Sequence, residues 1–341
     1  MAFFNSGIIA SAVFWVLSPA IVSAQPLGGP GFRFVVSDKN VPPALIEPAT
    51  IIEKDLTSTE PVAHHPACAG KLGTYRTVVI DTTGGPHYGS INRYKEADFL
   101  ANREVVLTFD DGPNPRATGA VLDTLKEHCV KATFFVVGRM AKYYPKLLKR
   151  IADEGHTIAG HTVSHPMPFS KLTTAKAKQE IENGFKQIEE ALGEPASPFF
   201  RFPGLQDRKE FRDYLSRRNI TALSVDVIGG DTRAGANPQK IIQNIMSGAR
   251  RKDGGILLMH DPLKRTARAL PEILRQLRDE GFRVVHMRAA YPYEPPVAPL
   301  PSDSTTVSKQ LVEKADANAD LVKEKKSHDG LVDNPTWPAV Y

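Results

Sequence analysis

From Val105 onward the chain alternates short apolar runs with longer amphipathic stretches. The runs fall at 105–109, 132–137, 157–159, 199–202, 221–225, 256–259 and 283–286. Each is rich in β-branched or aromatic residues and too short for a helix, so each predicts a strand. Between them lie 117–129, 141–154, 174–192, 210–218, 238–250 and 267–280. In the third of these, Ile181, Phe185, Ile188 and Leu192 recur at helical spacing, and Lys and Glu occupy the other face. Strands separated by helices predict parallel pairing with right-handed crossovers. Residues suited to chemistry follow several different strands, which favours a barrel over an open sheet. The expected fold is α/β, a distorted parallel barrel of seven β/α units spanning 102–290.

Residues 25–101 carry Pro/Gly clusters and little apolar periodicity. They predict an irregular extension packed on the barrel, with a hairpin formed by 77–80 and 88–94. Residues 1–24 contain no charged side chain, hold an apolar stretch from Ile8 to Leu17, and end Val22–Ser23–Ala24 before Gln25. That is the pattern of a cleaved leader, and an apolar core interrupted at Pro19 is too short to favour a membrane span. The expectation is a secreted or periplasmic protein with no stable membrane span after cleavage, an uncleaved anchor being the alternative. Beyond Tyr291 a proline-rich exit precedes a charged tail, 291–341, whose composition predicts disorder.

A net charge of +5 over 341 residues is compatible with acidic envelope polymers. No dense Lys/Arg stripe with interleaved aromatics is present, which argues against nucleic acid. Two cysteines, Cys68 and Cys129, are spaced wrongly for a metal site. In an oxidising compartment they could tie the extension to the barrel; equally, one could be a small buried hydrophobe and the other unpaired.

The chemistry concentrates first in Val105–Pro113, VVLTFDDGP, an apolar strand ending in two adjacent carboxylates. Downstream, His161 and His165 stand four apart, so one turn of chain puts both rings on one side. Zinc and similar divalent ions take nitrogen and oxygen ligands and, in catalytic sites, leave a position open for water. Asp111, His161 and His165 are therefore the candidate metal ligands, and Asp110 the carboxylate free to accept a proton. This ligand set suits zinc and tolerates cobalt, nickel or manganese. The His64–His65 pair lies in a Pro-rich arm without a nearby carboxylate and reads as a solvated loop.

These residues resemble the polysaccharide deacetylases of the nodulation-protein type, the fourth family of carbohydrate esterases. Thr108–Pro113, TFDDGP, is similar to the family's first motif, and His161–His165, HTVSH, to its second. Arg201–Phe–Pro–Gly204 resembles the third, and Ile256–Asp261, ILLMHD, the fifth. The resemblance covers roughly 104–288 and implies the same seven-unit barrel. It implies that Asp110 is the base, that Asp111 and the two histidines bind metal, and that His260 is the general acid. Arg201 is then expected to pair with Asp110, and a backbone N–H after Pro203, at Gly204, to help hold an oxyanion.

The sequence departs from the family pattern twice. Gly204 stands where the family usually has Tyr. The fourth motif, expected to orient the acid histidine, reads Asp226–Val–Ile–Gly–Gly–Asp231 and lacks Trp. Asp226, at a strand end, is slightly preferred over Asp231 as the partner of His260. The only tryptophans, Trp15 and Trp337, lie outside the barrel. Sugar stacking would then fall to Phe202, Tyr88 or Tyr94, for each of which packing is the competing role. The resemblance implies metal-dependent removal of N-acetyl groups from an N-acetylglucosamine-containing polymer or oligomer, chitooligosaccharide or peptidoglycan-like. The alternatives are an O-acetyl esterase on the same fold and an inactive glycan-binding descendant.

Overall fold

The computed structural model describes residues 66–95 and 97–296, together with the backbone of 21–26 and 32–37. The rest of the expected leader, His64–His65 and the tail from 297 lie outside the described residues. Strands β1 (Ile21–Pro26) and β2 (Phe32–Ser37) pair antiparallel within a separate N-terminal unit, and β1 runs through the expected cleavage point after Ala24.

The second unit is a parallel sheet wrapped by helices. Its strands are β3 (Thr74–Ile80), β4 (His87–Tyr88), β5 (Glu104–Asp110), β6 (Thr133–Val136), β7 (Thr157–Gly160), β8 (Phe199–Phe200), β9 (Thr221–Leu223), β10 (Val227–Ile228), β11 (Gly254–His260) and β12 (Arg283–Ala289). The helices are α1 (Thr118–Glu127), α2 (Gly138–Tyr143), α3 (Pro145–Asp153), α4 (Thr174–Leu192), α5 (Lys209–Arg217), α6 (Pro238–Lys252) and α7 (Lys264–Asp279). Hydrogen-bonded neighbours run β10–β11–β5–β6–β7–β8–β9–β4. Both β9 and β10 belong to one passage of chain, so the order returns to its starting point as a distorted barrel closes. Asp226 N donates to Ile256 O across that closure.

All seven residues of β5 are buried, as expected of a parallel strand covered on both faces. Side chains alternate across a strand. Val105, Leu107 and Phe109 join the large cluster under the helices, whereas Val106 joins a smaller cluster with Phe135, Ala159, Leu223 and Ile256 inside the barrel. Thr108 and Asp110 share the face of Val106, so the strand's own period delivers Asp110 to the inner rim. Helix α4 follows the sequence expectation to the residue. Thr173 caps its start by accepting from Lys176 N, Ile181, Phe185, Ile188 and Leu192 are buried, and Gly193 ends it at φ 86°.

Two expectations change. The expected helix 141–154 begins earlier and is two, α2 and α3, because Pro145 opens a new first turn after Tyr144. The expected hairpin is absent: β3 pairs parallel with β12, and β4 pairs parallel with β9. The last strand, β12, touches β5 only at its first two residues before splaying toward β3. Cys68 and Cys129 form a disulfide, resolving the question the sequence left open. It anchors the chain before β3 to the turn after α1.

Candidate active site

Strands β5, β7, β8 and β11 and the loops after them bring the charged residues together at one end of the barrel. Ligand-type atoms of Asp111, His161 and His165 all lie within 4.8 Å of one another. Nε2 of His161 and Nε2 of His165 each stand 3.4 Å from Asp111 Oδ1. Nδ1 of His161 donates to the Arg201 carbonyl at 2.7 Å, which leaves the Nε2 lone pair directed at the cluster. Burial holds the His165 imidazole below its ordinary pKa, against the pull of Asp111, and so favours the neutral, ligating form. For Asp111 burial acts to raise the pKa, but the surrounding imidazoles of His161, His260 and His165 outweigh it and lower it. A buried anionic oxygen facing two imidazole nitrogens is the donor chemistry that a divalent cation requires. Asp111, Thr162 and His165 adopt positive φ, at 78°, 69° and 53°. Such backbone is costly for non-glycine residues and tends to mark functional sites.

On one side of this cluster stands Asp110. Arg201, fully buried, donates from one terminal nitrogen to Asp110 Oδ1 at 2.6 Å and to Thr108 Oγ1 at 2.9 Å. Its Nε donates to Leu223 O and its other terminal nitrogen to Ser224 O, while the guanidinium lies over the Phe135 ring at 4.0 Å. The expected pairing of Arg201 with Asp110 is thus present. The supporting acceptors come from β5 and from the strand passage after β8, which a short motif cannot reveal.

On the other side stands His260, with Nε2 4.0 Å from Asp111 Oδ2. Here the preference for Asp226 is corrected. Asp231 accepts from His260 Nδ1 at 2.8 Å, from His260 N at 2.7 Å and from Thr266 Oγ1 at 2.6 Å. Asp226 accepts instead from Ser90 N and Ile256 N, both at 2.9 Å, and so pins the barrel closure. The two-glycine turn, with Gly230 at φ 69°, brings the later carboxylate round to the histidine. Burial opposes the imidazolium, yet the charge and hydrogen bond of Asp231, aided by Asp111 and Asp110, push the His260 pKa up to about 10.

Two further expectations fare differently. Phe202 is buried in an aromatic cluster with Phe169, Phe200 and Phe211, so the stacking role is corrected to packing. Gly204 is exposed on a single turn, Pro203–Leu205, at φ 58°, and its missing Cβ would stand 2.6 Å from Met167 Cε. The methionine of the HTVSH loop thus occupies the space beside this position. Tyr94 donates to Asp207, and Tyr88 packs edge-on against Phe99. Sequence reasoning passed over Asp261 and Thr118. Thr118 donates to the buried Asp261 carboxylate, whose pKa burial pushes up to about 7. A Cβ at Gly112 would fall 2.0 Å from Asp261 Oδ2, so the glycine of the first motif makes room for the aspartate of the last.

A model of the family described as polysaccharide deacetylase matches residues 100–223. A chitooligosaccharide deacetylase from Rhizobium leguminosarum bv. trifolii is 37% identical over 162 residues, covering 47% of this chain and 72% of the relative. The chain belongs to the polysaccharide deacetylase family. Among the family's members, a peptidoglycan-N-acetylmuramic acid deacetylase from Bacillus subtilis is 34% identical over 202 residues, 59% of this chain and 41% of that protein. The chain thus spans about two-fifths of the length of some curated deacetylases that it matches. Among solved structures, a peptidoglycan deacetylase from Bdellovibrio bacteriovorus superposes with a TM-score of 0.57 at 31% identity, covering 63% of this chain and 59% of the other. The mixed α/β fold with its parallel sheet agrees with that family relationship.

Proposed function

We propose that this polysaccharide deacetylase family member hydrolyses N-acetyl groups on an N-acetylglucosamine-containing glycan, releasing acetate. One observation carries the reading. A carboxylate clamped by a buried arginine and an imidazole clamped by a buried carboxylate flank a single Asp–His–His cluster. A binding protein has no use for a proton acceptor and a proton donor set on either side of such a cluster. The names of relatives, which cover chitooligosaccharide and peptidoglycan deacetylases, support the substrate class.

Asp111, His161 and His165 would hold a divalent cation, zinc in the first instance and cobalt, nickel or manganese as alternatives. When bound, it supplies Lewis acidity to the acetyl carbonyl and lowers the pKa of water. Asp110 accepts the proton of the water that attacks the carbonyl carbon, and Arg201 fixes that carboxylate and balances its charge. His260, held protonated by Asp231, gives its Nε2 proton to the departing nitrogen as the C–N bond breaks. The products are acetate and a free amine. Export to the envelope, where such polymers lie, is part of the same proposal and rests on the leader pattern.

Acetate release from N-acetylglucosamine oligomers, with chelator, with zinc and beside Asp110→Asn, tests the reading. Chelator-sensitive release that Asp110→Asn lacks is expected. Equal release by the variant, or none by the metal-loaded protein on any N-acetylated glycan, would overturn it.

A further inference from the structure

Beside the catalytic rim runs a second feature that the acetyl chemistry leaves unused. A groove of about 690 Å³ opens between the loops that follow β5, β10 and β11, and Arg116, Lys264, Arg265 and Arg268 line it. Two of its walls are direct continuations of catalytic segments. Arg116 lies five residues after Asp111, and Pro262, also in the lining, lies two after His260.

No Asp or Glu lines the groove among the described residues. Elsewhere on the barrel, arginines such as Arg76, Arg150, Arg218 and Arg250 are paired with carboxylates. None of the four groove cations forms an ion pair among the described residues, and the buried Nε of Arg265 has no hydrogen-bond partner there.

The placement also runs against helix electrostatics. The first five residues of α7 contain Lys264, Arg265 and Arg268, with no acid in the first turn. The N-terminal end of a helix carries partial positive charge and favours anions, so three cations there repel both the helix and one another. Helix α6 also begins at the groove, with Asn237 as its cap and no acid in its first turn. A cluster that costs local stability and lacks an internal counter-charge is a reason to look for an external one.

We infer that this groove is a subsite for carboxylates on the sugars flanking the reacting N-acetylglucosamine, so that the enzyme selects acidic glycan over neutral chitooligosaccharide. The inference rests on the deacetylase reading. Arg116 and Arg268, both exposed, are free to take carboxylates by paired N–H donors. Lys264 adds a point charge, and the two helix ends strengthen the field.

A matched pair of probes separates this inference from the reading beneath it. One is a tetrasaccharide of alternating N-acetylglucosamine and N-acetylmuramic acid with free lactyl carboxylates; the other is the same molecule with those carboxylates amidated. For the unmodified protein, kcat/KM is expected to be about tenfold higher on the acidic form at low salt, the advantage shrinking as salt screens the groove. In Arg116→Gln/Arg268→Gln the acidic-to-amidated ratio is expected to fall toward one. Arg268→Gln, relieved of repulsion at the α7 end, should melt about 1–3 °C higher. A ratio of one in the unmodified protein, or a ratio the double variant leaves unaltered, would overturn the inference while acetate release still upholds the deacetylase. Should neither form release acetate, the deacetylase reading fails, and calorimetric binding of the two probes decides the groove. Tighter binding of the acidic form that the double variant abolishes supports it, and equal binding ends it.

Discussion

The two flanks of the Asp–His–His cluster solve opposite problems with the same device. On the base side a buried cation holds a carboxylate; on the acid side a buried carboxylate holds a cationic imidazole. The base side is built from strands. Arg201 spends its donors on β5 side chains and on the carbonyls of Leu223 and Ser224, so its position follows the barrel itself. On the acid side His260 ends β11 directly opposite Asp110 in the sheet, and its partner Asp231 arrives through a two-glycine turn, braced by Thr266 in the first turn of α7. Strand register therefore places both groups, but their partners differ: a barrel arginine on one side, and on the other a turn-borne carboxylate that raises the His260 pKa to about 10.

Removing the base tests the comparison most severely. Asp110→Asn keeps the shape but cannot accept a proton, and kcat for acetate release should fall about 10²–10⁴-fold, read by coupled acetate assay. The base side should also be the one that matters for folding. Arg201→Met leaves a buried carboxylate without its cation, and denaturant unfolding should show a loss of about 3–5 kcal/mol. If Arg201→Met unfolds at the unmodified midpoint, the view of this side as a structural clamp is wrong.

The acid side should fail more gently. His260→Gln should lower kcat about 10²-fold or more with a smaller change in KM, and an acetyl ester whose leaving group needs no proton should be hydrolysed with far less loss. Asp231→Asn removes the main partner that raises the His260 pKa to about 10. In the metal-free protein, NMR titration of His260 should show a midpoint well below that of the unmodified chain, and the alkaline limb of the kcat profile should move to lower pH. The same shift enters stability with a definite sign. The raised pKa means that the charged imidazole stabilises the fold fully below its ordinary value of 6.5, and this contribution fades as pH rises through about 10. Asp231→Asn should flatten that alkaline decline in thermal melts. An unshifted His260 titration would return the role to Asp226.

The smallest effect on turnover should come from the far end of the chemistry. Reducing Cys68–Cys129, which closes a loop across a sequence separation of 61, should cost about 4 kcal/mol of stability by the chain-entropy account. It should leave acetate release at 25 °C nearly unaltered, because neither cysteine touches the cluster.

The same contrast explains what could be read from the residues alone. The inward face of β5 is a matter of alternation, so Asp110 at its end was readable, as were the paired imidazoles four apart. Asp231 was not, because its aim depends on the left-handed turn at Gly230 and on Thr266, a residue 35 positions further on. Phe202 was misread because its neighbours Phe169 and Phe211 converge on it from separate segments. The hairpin assigned to 77–80 and 88–94 failed for a related reason. The true partners, β12 and β9, lie more than a hundred residues away, and parallel pairing leaves no turn signal between them. Pro145, by contrast, was a local signal of a break between α2 and α3 that helical periodicity alone had overridden.

Arg201 holds Asp110 with its side chain and His161 with its main-chain carbonyl. The proton acceptor and one ligand of the neighbouring cluster thus hang from a single residue of the wall. When the barrel breathes, any tilt of that segment carries both groups the same way, and their separation is protected from motion that would spoil either alone. On the acid side the sheet holds the His260 backbone in register with Asp110, while the carboxylate that aims its ring sits on a turn. Slow fluctuations of that turn should therefore show themselves in the aim of the His260 ring rather than in the place of its backbone, making the donor's orientation, rather than the acceptor's, the more exposed component.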